Sequence, residues 1–468
     1  SQDVLSEVKE GFGNQINLCR DRGLNPGRCC ILKECNRKEW IQRDNMRFKE
    51  VDKLESVLSA FTGGILLVWT SPAIPLLHKM AGTTPLTTEQ ESWVSSLLAL
   101  GACVGAPLIG YVMERFGRKR AILTLGPTAV ASFVIILATR GSPWWLYASR
   151  LLGGIPLGGV IMFCAGGLYT YAVGACENYY IMTGACLLVP AVCFFVFLWM
   201  PESPYYLIAT HQKTQATSSL QWLRGKDCDI SEEFNNLEKF VEETTLDRVS
   251  IRDLLSSAVT RKAIFISSGL GAFQQLSGIS VVQFYTEAIF NAVGVALSSR
   301  TCTILFGVIM VVTAFVCAKI VDKVGRKILL LISGVFMSLA CFNLGLYLYF
   351  QETGHDVGAA SWLPVISIVV FVVAYVLGFG PLPWTVMAEI LPSNAKGFGG
   401  SMISTFCWGS SFVIGKLFQN MIDLLGRYLA FWMFSFFAIL ATFFVYFYVP
   451  ETKNRPLKQI QDELMINN

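Results

Sequence analysis

Two adjacent side-chain amides, Gln274 and Gln275, lie inside an apolar run covering about residues 263–290. At helical spacing they fall within about 100° of Gly278 and Tyr285, which gives the run one polar face. Amides donate and accept hydrogen bonds without carrying charge, which suits a neutral ligand. In a bilayer two such groups are costly unless they face a polar path or bond to a neighbouring helix, and the residues alone leave both readings open. A second cluster sits in the apolar run 361–388, where Gly380, Pro381 and Pro383 surround the approach to Trp384. Proline inside a helix frees backbone groups and allows a bend. The indole offers a flat aromatic face or an interfacial anchor.

Composition sets the elements that must position these groups. Charged residues make up 15% of the 468, hydrophobic residues 53%, and mean hydropathy is +0.51. An ordinary soluble domain carries about 25% charged residues. The deficit falls in blocks, at about 55–77, 91–113, 121–139, 144–175, 179–200, 263–290, 299–320, 327–350, 361–388, 398–422 and 428–449. A membrane-spanning helix needs roughly 20 apolar residues, because its backbone polar groups must be satisfied within the segment. The expected organisation is a cytosolic, mostly disordered tail over 1–53, with mixed charge and no secretory signal pattern, then a helical bundle over 54–200. A polar cytosolic linker follows over 201–262, with short amphipathic helices such as that around Leu237-Glu238-Lys239-Phe240, then a second bundle over 263–449 and a cytosolic tail over 450–468.

Several function classes drop out. Net charge is +4, and no Lys/Arg stripe with interleaved aromatics points to nucleic acid. Three histidines, with no phosphate-cradling Gly loop and no nucleophile elbow, argue against an enzyme. The 14 cysteines mostly lie in apolar runs as buried small residues, and Cys19, Cys29, Cys30 and Cys35 lack metal-ligand spacing. No metal or cofactor is expected. The expected partners are a small neutral solute and the lipid bilayer; nothing sets an oligomeric state.

Loop charge sets the orientation. Glu114-Arg115-Phe116-Gly117-Arg118-Lys119-Arg120 and Asp322-Lys323-Val324-Gly325-Arg326-Lys327 are strongly basic and are expected in the cytosol. The loops 78–90 and 351–360 are poor in Lys and Arg and are expected outside. The two basic loops also form an internal repeat, in the order acid, base, one residue, Gly, Arg, Lys. A second repeat closes each half, Pro201-Glu202-Ser203 and Pro450-Glu451-Thr452. One copy would be an ordinary positive-inside loop. Two copies in register imply two pseudo-symmetric bundles with a substrate path between them. The Gly lets two helices turn tightly, and Arg and Lys beside helix ends and carboxylates can latch the cytosolic face shut.

Together the two Gly-Arg-Lys loops, Pro201-Glu202-Ser203-Pro204, Gln274-Gln275-Leu276-Ser277-Gly278, Gly380-Pro381-Leu382-Pro383-Trp384 and Pro450-Glu451-Thr452-Lys453 resemble the sugar porter family of the major facilitator superfamily. The run from Gly378 to Lys453 is most similar to insect-type facilitated trehalose transporters. The resemblance implies an all-α polytopic fold of nominally twelve spans. It implies facilitated transport, by alternating access, of trehalose or a hexose such as glucose, in the plasma membrane with both termini cytosolic. It implies that Gln274 and Gln275 bond sugar hydroxyls, that Tyr285 helps to close the outer gate, and that Trp384 stacks on the sugar from below. Gly380, Pro381 and Pro383 would break the helix that carries Trp384. The implied latch comprises Glu114, Arg115, Gly117, Arg118, Arg150, Glu202, Asp322, Gly325, Arg326, Glu389, Lys396 and Glu451, with Glu389 beside Lys396 and Arg150 beside a carboxylate. Ser280, in the sugar site, and Cys407 stand where the family often has Asn, which lowers hydrogen-bonding capacity; Tyr205 and Lys396 stand where Arg is usual. Lys cannot offer the bidentate fork of Arg.

The first half fails a parity test. Gly117 and Pro201 are both expected in the cytosol, so the chain between them must cross an even number of times, yet it holds three apolar runs. From Gly325 to Pro450 is 125 positions and from Gly117 to Pro201 is 84, a deficit of 41. The expectation is that the end of span four and the start of span five are absent near 165/166; a re-entrant or strongly bent 144–175 is the alternative. From Ser56 to Thr88 there is no Asp or Glu. Proton coupling generally needs a buried carboxylate near the path, so uniport is expected over proton-coupled symport. The shortened half also raises a non-transporting sugar sensor or an inactive isoform.

Overall fold

The computed structural model describes residues 60–80, 86–139, 142–155, 160–225, 230–246, 256–293, 298–392, 395–455 and 457–466. The expected tail 1–53, with Cys19, Cys29, Cys30 and Cys35, lies outside the described residues, as do the side chains of Glu114 and Arg118. The described residues are helical with short connections. The first half comprises α1 (Ala60–Lys79), α2 (Thr88–Phe116), α3 (Arg118–Ala138), α4 (Pro143–Gly153), α5 (Val160–Gly174) and α6 (Tyr179–Leu198). Three polar helices follow, α7 (Pro204–Ala209), α8 (Lys213–Arg224) and α9 (Ser231–Leu246), as the linker pattern leads one to expect. The second half comprises α10 (Ala258–Leu276), α11 (Ile279–Phe284), α12 (Thr286–Val293), α13 (Ser299–Val324), α14 (Arg326–Glu352), α15 (Leu363–Leu377), α16 (Leu382–Ile390), α17 (Lys396–Leu425) and α18 (Arg427–Tyr448), and α19 (Leu457–Ile466) follows.

Eight of these are long and apolar enough to cross a membrane: α1, α2, α3, α6, α13, α14, α18, and α15 with α16 as one run from Leu363 to Ile390. Side chains such as Val312 and Phe315 on α13 and Phe443 and Phe447 on α18 are exposed apolar groups on the outside of the bundle, where lipid would cover them. Spans start and stop on local signals. Thr87 and Gln90 form a capping box at the start of α2, with Gln90 N–H to Thr87 Oγ1 at 3.3 Å and Thr87 N–H to Gln90 Oε1 at 3.0 Å. Asn178 Oδ1 caps α6 by accepting from Tyr180 and Ile181. These capped starts lie at the end of the bundle opposite the Gly117 and Gly325 loops, here called the far end; the loops mark the basic end.

The run 144–175 is not one element. It is divided into α4 and α5, of 11 and 15 residues. At 1.5 Å per residue they are about 16 and 22 Å long, too short to span. Their counterparts in the repeat run from Leu363 to Ile390 and from Lys396 to Leu425, 28 and 30 residues. α4 ends at Gly153, and α5, described from Val160, passes unbroken through Ala165 and Gly166, so no break in the helix falls at 165/166. Its close seat on α1 fixes it there: a Cβ on Gly166 would lie 2.1 Å from the Phe61 carbonyl oxygen. α4 packs between α2 and α3, and α5 packs on α1, α6 and, across the two halves, α13. The other long contact between halves is α2 on α17.

Candidate functional site

At the basic end each half carries the expected turn of helix, Gly, helix. Gly117 has φ 95° and ψ 167°, and Gly325 has φ 106° and ψ 159°. Only glycine holds such a conformation without strain. Under each turn lies the glutamate of the second repeat. Glu202 accepts from Lys119 N–H at 2.9 Å. Glu451 accepts from Arg326 N–H at 3.0 Å and Lys327 N–H at 3.1 Å. The lysine of each loop then caps the last carbonyls of its half: Lys119 Nζ donates to Leu198 O at 3.3 Å and Lys327 Nζ to Tyr446 O at 2.9 Å. Arg326 adds ion pairs to Glu389 at 3.0 Å and Asp322 at 3.1 Å. Arg115 points along its own helix, to Tyr111 Oη at 2.8 Å, while its carbonyl accepts from Tyr206.

Two latch expectations are corrected. Glu389 pairs with Arg326 and not with Lys396, which is exposed at the cavity mouth without an ion pair among the described residues. Arg150 is not at the latch. It stands seven residues into α4, a helix that begins at the far end, so it lies about 10 Å along the helix axis from Pro143. It is fully buried and has no carboxylate partner among the described residues. Its Nε donates to Val94 O at 3.1 Å, its Nη1 to Leu66 O at 2.7 Å, and its guanidinium lies 5.6 Å from the Trp69 ring.

Between the halves lies a cavity of about 600 Å³. It opens at the basic end, where Met113, Lys396 and Gly397 line it, and reaches Gln283 and Trp408 within the bundle. Its polar groups come from the second half: Gln274, Gln275, Ser280, Gln283, Tyr375, Trp384 and Trp408. The first half supplies mostly apolar lining, including Leu67, Ile109 and Phe163. Gln274, Gln275, Ser280 and Trp384 are thus brought together as the sequence leads one to expect. Tyr285 is not among them; it is buried with its ring 5.7 Å from that of Phe418. The helix that would have carried it onto the amide face breaks at Gly278, which sits in the left-handed region at φ 86°.

The amides are not equally free. Gln274 Nε2 donates to Phe379 O at 2.7 Å and Gly380 O at 3.0 Å, on the break between α15 and α16. Gln275 Oε1 accepts from Ser280 at 2.6 Å, and its Nε2 lies 3.4 Å from Cys407 Sγ. Gln283 has no side-chain hydrogen bond among the described residues, although it is 5% exposed and lines the cavity. Motif matching missed it, together with Trp408. A third amide in one apolar run was the available signal.

The far end is closed by contacts between the halves. Tyr171 and Thr286 share a hydrogen bond at 3.2 Å, Glu287 N–H donates to Ser71 Oγ at 3.2 Å, and Ser92 Oγ donates to Lys416 O at 3.1 Å. Lys416 Nζ sits 4.5 Å from the Trp93 ring, and Arg300 pairs with Glu177.

The sequence model described as Major Facilitator Superfamily matches residues 56–161, and that described as Sugar (and other) transporter matches residues 165–464. The facilitated trehalose transporter Tret1 of Apis mellifera ligustica is 32% identical over 458 residues, covering 90% of this chain and 89% of that protein. Tret1 of Polypedilum vanderplanki is 31% identical over 430 residues, covering 86% and 85%. Tret1 of Drosophila pseudoobscura pseudoobscura is 32% identical over 441 residues, covering 87% of this chain and 50% of that protein, so the chain spans about half the length of some curated relatives it matches. The solved proton:xylose symporter XylE bound to 6-bromo-6-deoxy-D-glucose aligns with a TM-score of 0.70 at 20% identity, covering 88% of this chain and 98% of that one. An inward-open XylE from E. coli gives 0.70 at 19%, covering 88% and 99%. The protein is a multi-pass membrane protein with the major facilitator fold of two helical bundles. It belongs to the sugar transporter family of that superfamily, a family of transporters and not of enzymes.

Proposed function

We propose that this protein carries a neutral sugar by facilitated diffusion, with the basic end and both termini in the cytosol and the bundle in the plasma membrane. The cavity carries this reading. Its lining holds three amides, a tyrosine, serine hydroxyls and two indoles, and the only charged lining residue among the described residues, Lys396, stands at the mouth. Neutral donors and acceptors with aromatic faces match sugar hydroxyls and ring faces. Gln275, Ser280 and the unbonded Gln283 face the sugar, Trp384 and Trp408 offer it their rings, and Tyr285 belongs to the closed far end. The relatives' names make trehalose the first sugar to test and glucose the second. Among the described residues no acid lines the cavity, and α1 holds none, which favours uniport over proton-coupled symport. Uptake of radiolabelled trehalose and glucose into oocytes should be saturable, competed by unlabelled sugar and unaffected by a proton ionophore. Surface expression without flux would overturn the transport reading, and flux that collapses with the pH gradient would replace uniport with symport.

A second reading, a sugar sensor or an inactive isoform, has its own observation. The cavity reaches Leu125 on α3, whereas α14, its counterpart, contributes no lining residue. In this reading α4 and α5 are the outer halves of spans four and five, and their cytosolic halves would have walled the cavity off from α3. The deficit of 41 positions and the boundary between the two family models at 161 and 165 support that account. A cavity without that wall binds sugar from the cytosol and cannot be sealed on that side. Inserting the matching segment of the honeybee relative between Ile155 and Val160 separates the readings. A gain of about tenfold or more in flux, equivalent to about 1.4 kcal/mol, favours the sensor or inactive isoform; unchanged flux favours the transporter.

A further inference from the structure

The run from Leu363 to Ile390 crosses the protein in two pieces, and the break leaves particular backbone groups without helical partners. Pro381 has no N–H to give the Leu377 carbonyl, and Pro383 has none for the Phe379 carbonyl. Gly380 N–H is diverted to Tyr375 O, at 2.7 Å, which takes the acceptor that Phe379 N–H would use. Three groups therefore need partners from outside the helix, since an unpaired backbone group in a bilayer is costly.

Each has one, and each comes from a different helix. Gln274 on α10 donates to Phe379 O at 2.7 Å. Cys317 on α13 donates through Sγ to Leu377 O at 3.4 Å. Ser333 on α14 bridges the break with one hydroxyl: it accepts from Phe379 N–H at 3.2 Å and donates to Ala374 O at 2.7 Å. α14 can come this close because residue 378 is glycine; a Cβ there would lie 2.3 Å from Ser333 Cβ. Ser333, Cys317 and Gln274 are all nearly inaccessible. Trp384, one residue past Pro383, lines the cavity.

We infer that Ser333 and Cys317 are positioning residues for the carried sugar: with Gln274 they form a three-helix clamp that replaces the backbone bonds lost at the break, and so fix where α16 begins and where Trp384 stands. The amide of Gln274 serves the hinge, and any sugar that engages it must loosen the clamp. Ser333 makes both bonds that cross the break from α14, so it is the group to remove first. Only the flux arm of the test rests on the transport reading.

The experiment uses the full chain in detergent and in oocytes. By hydrogen–deuterium exchange, Ser333→Ala should speed exchange about tenfold or more in peptides covering 376–384, with α14 and the Leu363–Phe371 part of α15 unchanged. Cys317→Ala should give a smaller rise confined to the same segment. In oocytes Ser333→Ala should lower kcat/KM about tenfold at a surface level within about twofold of wild type. Ser333→Cys, which keeps a weaker donor and acceptor, should fall between. Unchanged exchange at 376–384 overturns the clamp. A rise spread across α14 and α15 also overturns it, because Ser333 would then hold the fold and not the break. If the wild-type chain carries no flux while the exchange rise stays local, the clamp stands and the transport reading fails.

Discussion

The two halves are alike at the basic end and unlike one step further in. Gly117 over Glu202 repeats in Gly325 over Glu451, and the N–H two residues after each glycine meets its glutamate at 2.9 and 3.1 Å. Each loop lysine reaches the last carbonyls of its half. The second half then adds an inner arm, Arg326 to Glu389 at the end of α16, at 3.0 Å. The counterpart of Arg326 in the first half, Arg118, has its side chain outside the described residues, and α4 stops at Gly153. The basic end thus holds two kinds of contact. A peripheral clasp ties the helix after each basic loop to the last helix of its half. An inner arm, the Arg326–Glu389 pair, ties the start of α14 to the end of α16 in the second half.

The sharpest way to break that equivalence is to remove the glycines. Gly117→Ala and Gly325→Ala each force a side chain into a backbone region that costs about 1–3 kcal/mol. They also place a Cβ 2.6 Å from Glu202 Oε2 and 2.7 Å from Glu451 Oε2. Thermal unfolding in detergent should show similar losses for the two variants. A difference above about 1 kcal/mol would mean that the clasps are not equivalent. The inner arm should contribute less. A double-mutant cycle on Arg326 and Glu389, whose side chains are 13% and 28% exposed, should give a coupling of about 1 kcal/mol. A cycle on Glu389 and Lys396 should give none, although the two lie close in sequence. Measurable coupling there would restore the pairing that the structure rejects.

Features legible in the sequence were those written locally. The spans, the two loops and their glutamates could be read because charge, Gly and a short acidic repeat fix them within a few residues. What failed depended on depth or on a neighbour. Arg150 looked like a latch residue because its depth follows from where α4 starts, and α4 starts at the far end. Glu389 chose Arg326, 63 positions away, over Lys396, seven away. Tyr285 left the amide face, and Gln283 joined the cavity, for one shared reason. An unbroken helix puts Gln283 about 180° from Gln274. The left-handed turn at Gly278 resets that angle, and no count of 100° per residue crosses it. Gln274 lines the cavity as expected, and its bond to the carbonyl that Pro383 leaves bare is not legible in the sequence because that carbonyl lies on another helix, 105 positions along the chain.

The cavity repeats the contrast between halves, since its hydrogen-bonding groups come from the second half and its apolar wall from the first. Gln283→Leu should therefore raise KM for the transported sugar about fivefold, the effect of one hydrogen bond of about 1 kcal/mol, with kcat within about twofold. An unchanged KM would leave Gln283 as lining and return the reading of sugar to Gln274 and Gln275.

The smallest expected effect is also the one that bears most directly on the first half. Coupling to protons needs a group that titrates between the two faces and that the sugar can sense. α1 offers no Asp or Glu, and the buried cation nearest to it, Arg150, is held by the carbonyls of Val94 and Leu66 and the ring of Trp69, none of which titrates. Among the described residues the cavity lining adds only Lys396 at its mouth. If the protein is a uniporter, as proposed, no acid among the described lining residues is available to couple protons to the sugar. Uptake measured at external pH 5.5 and 7.5 should agree within about twofold, a difference of no more than about 0.4 kcal/mol. A rise of about tenfold on acidification would require an acid that neither half places at the path, and would show that the first half does more than wall off the apolar side of the cavity.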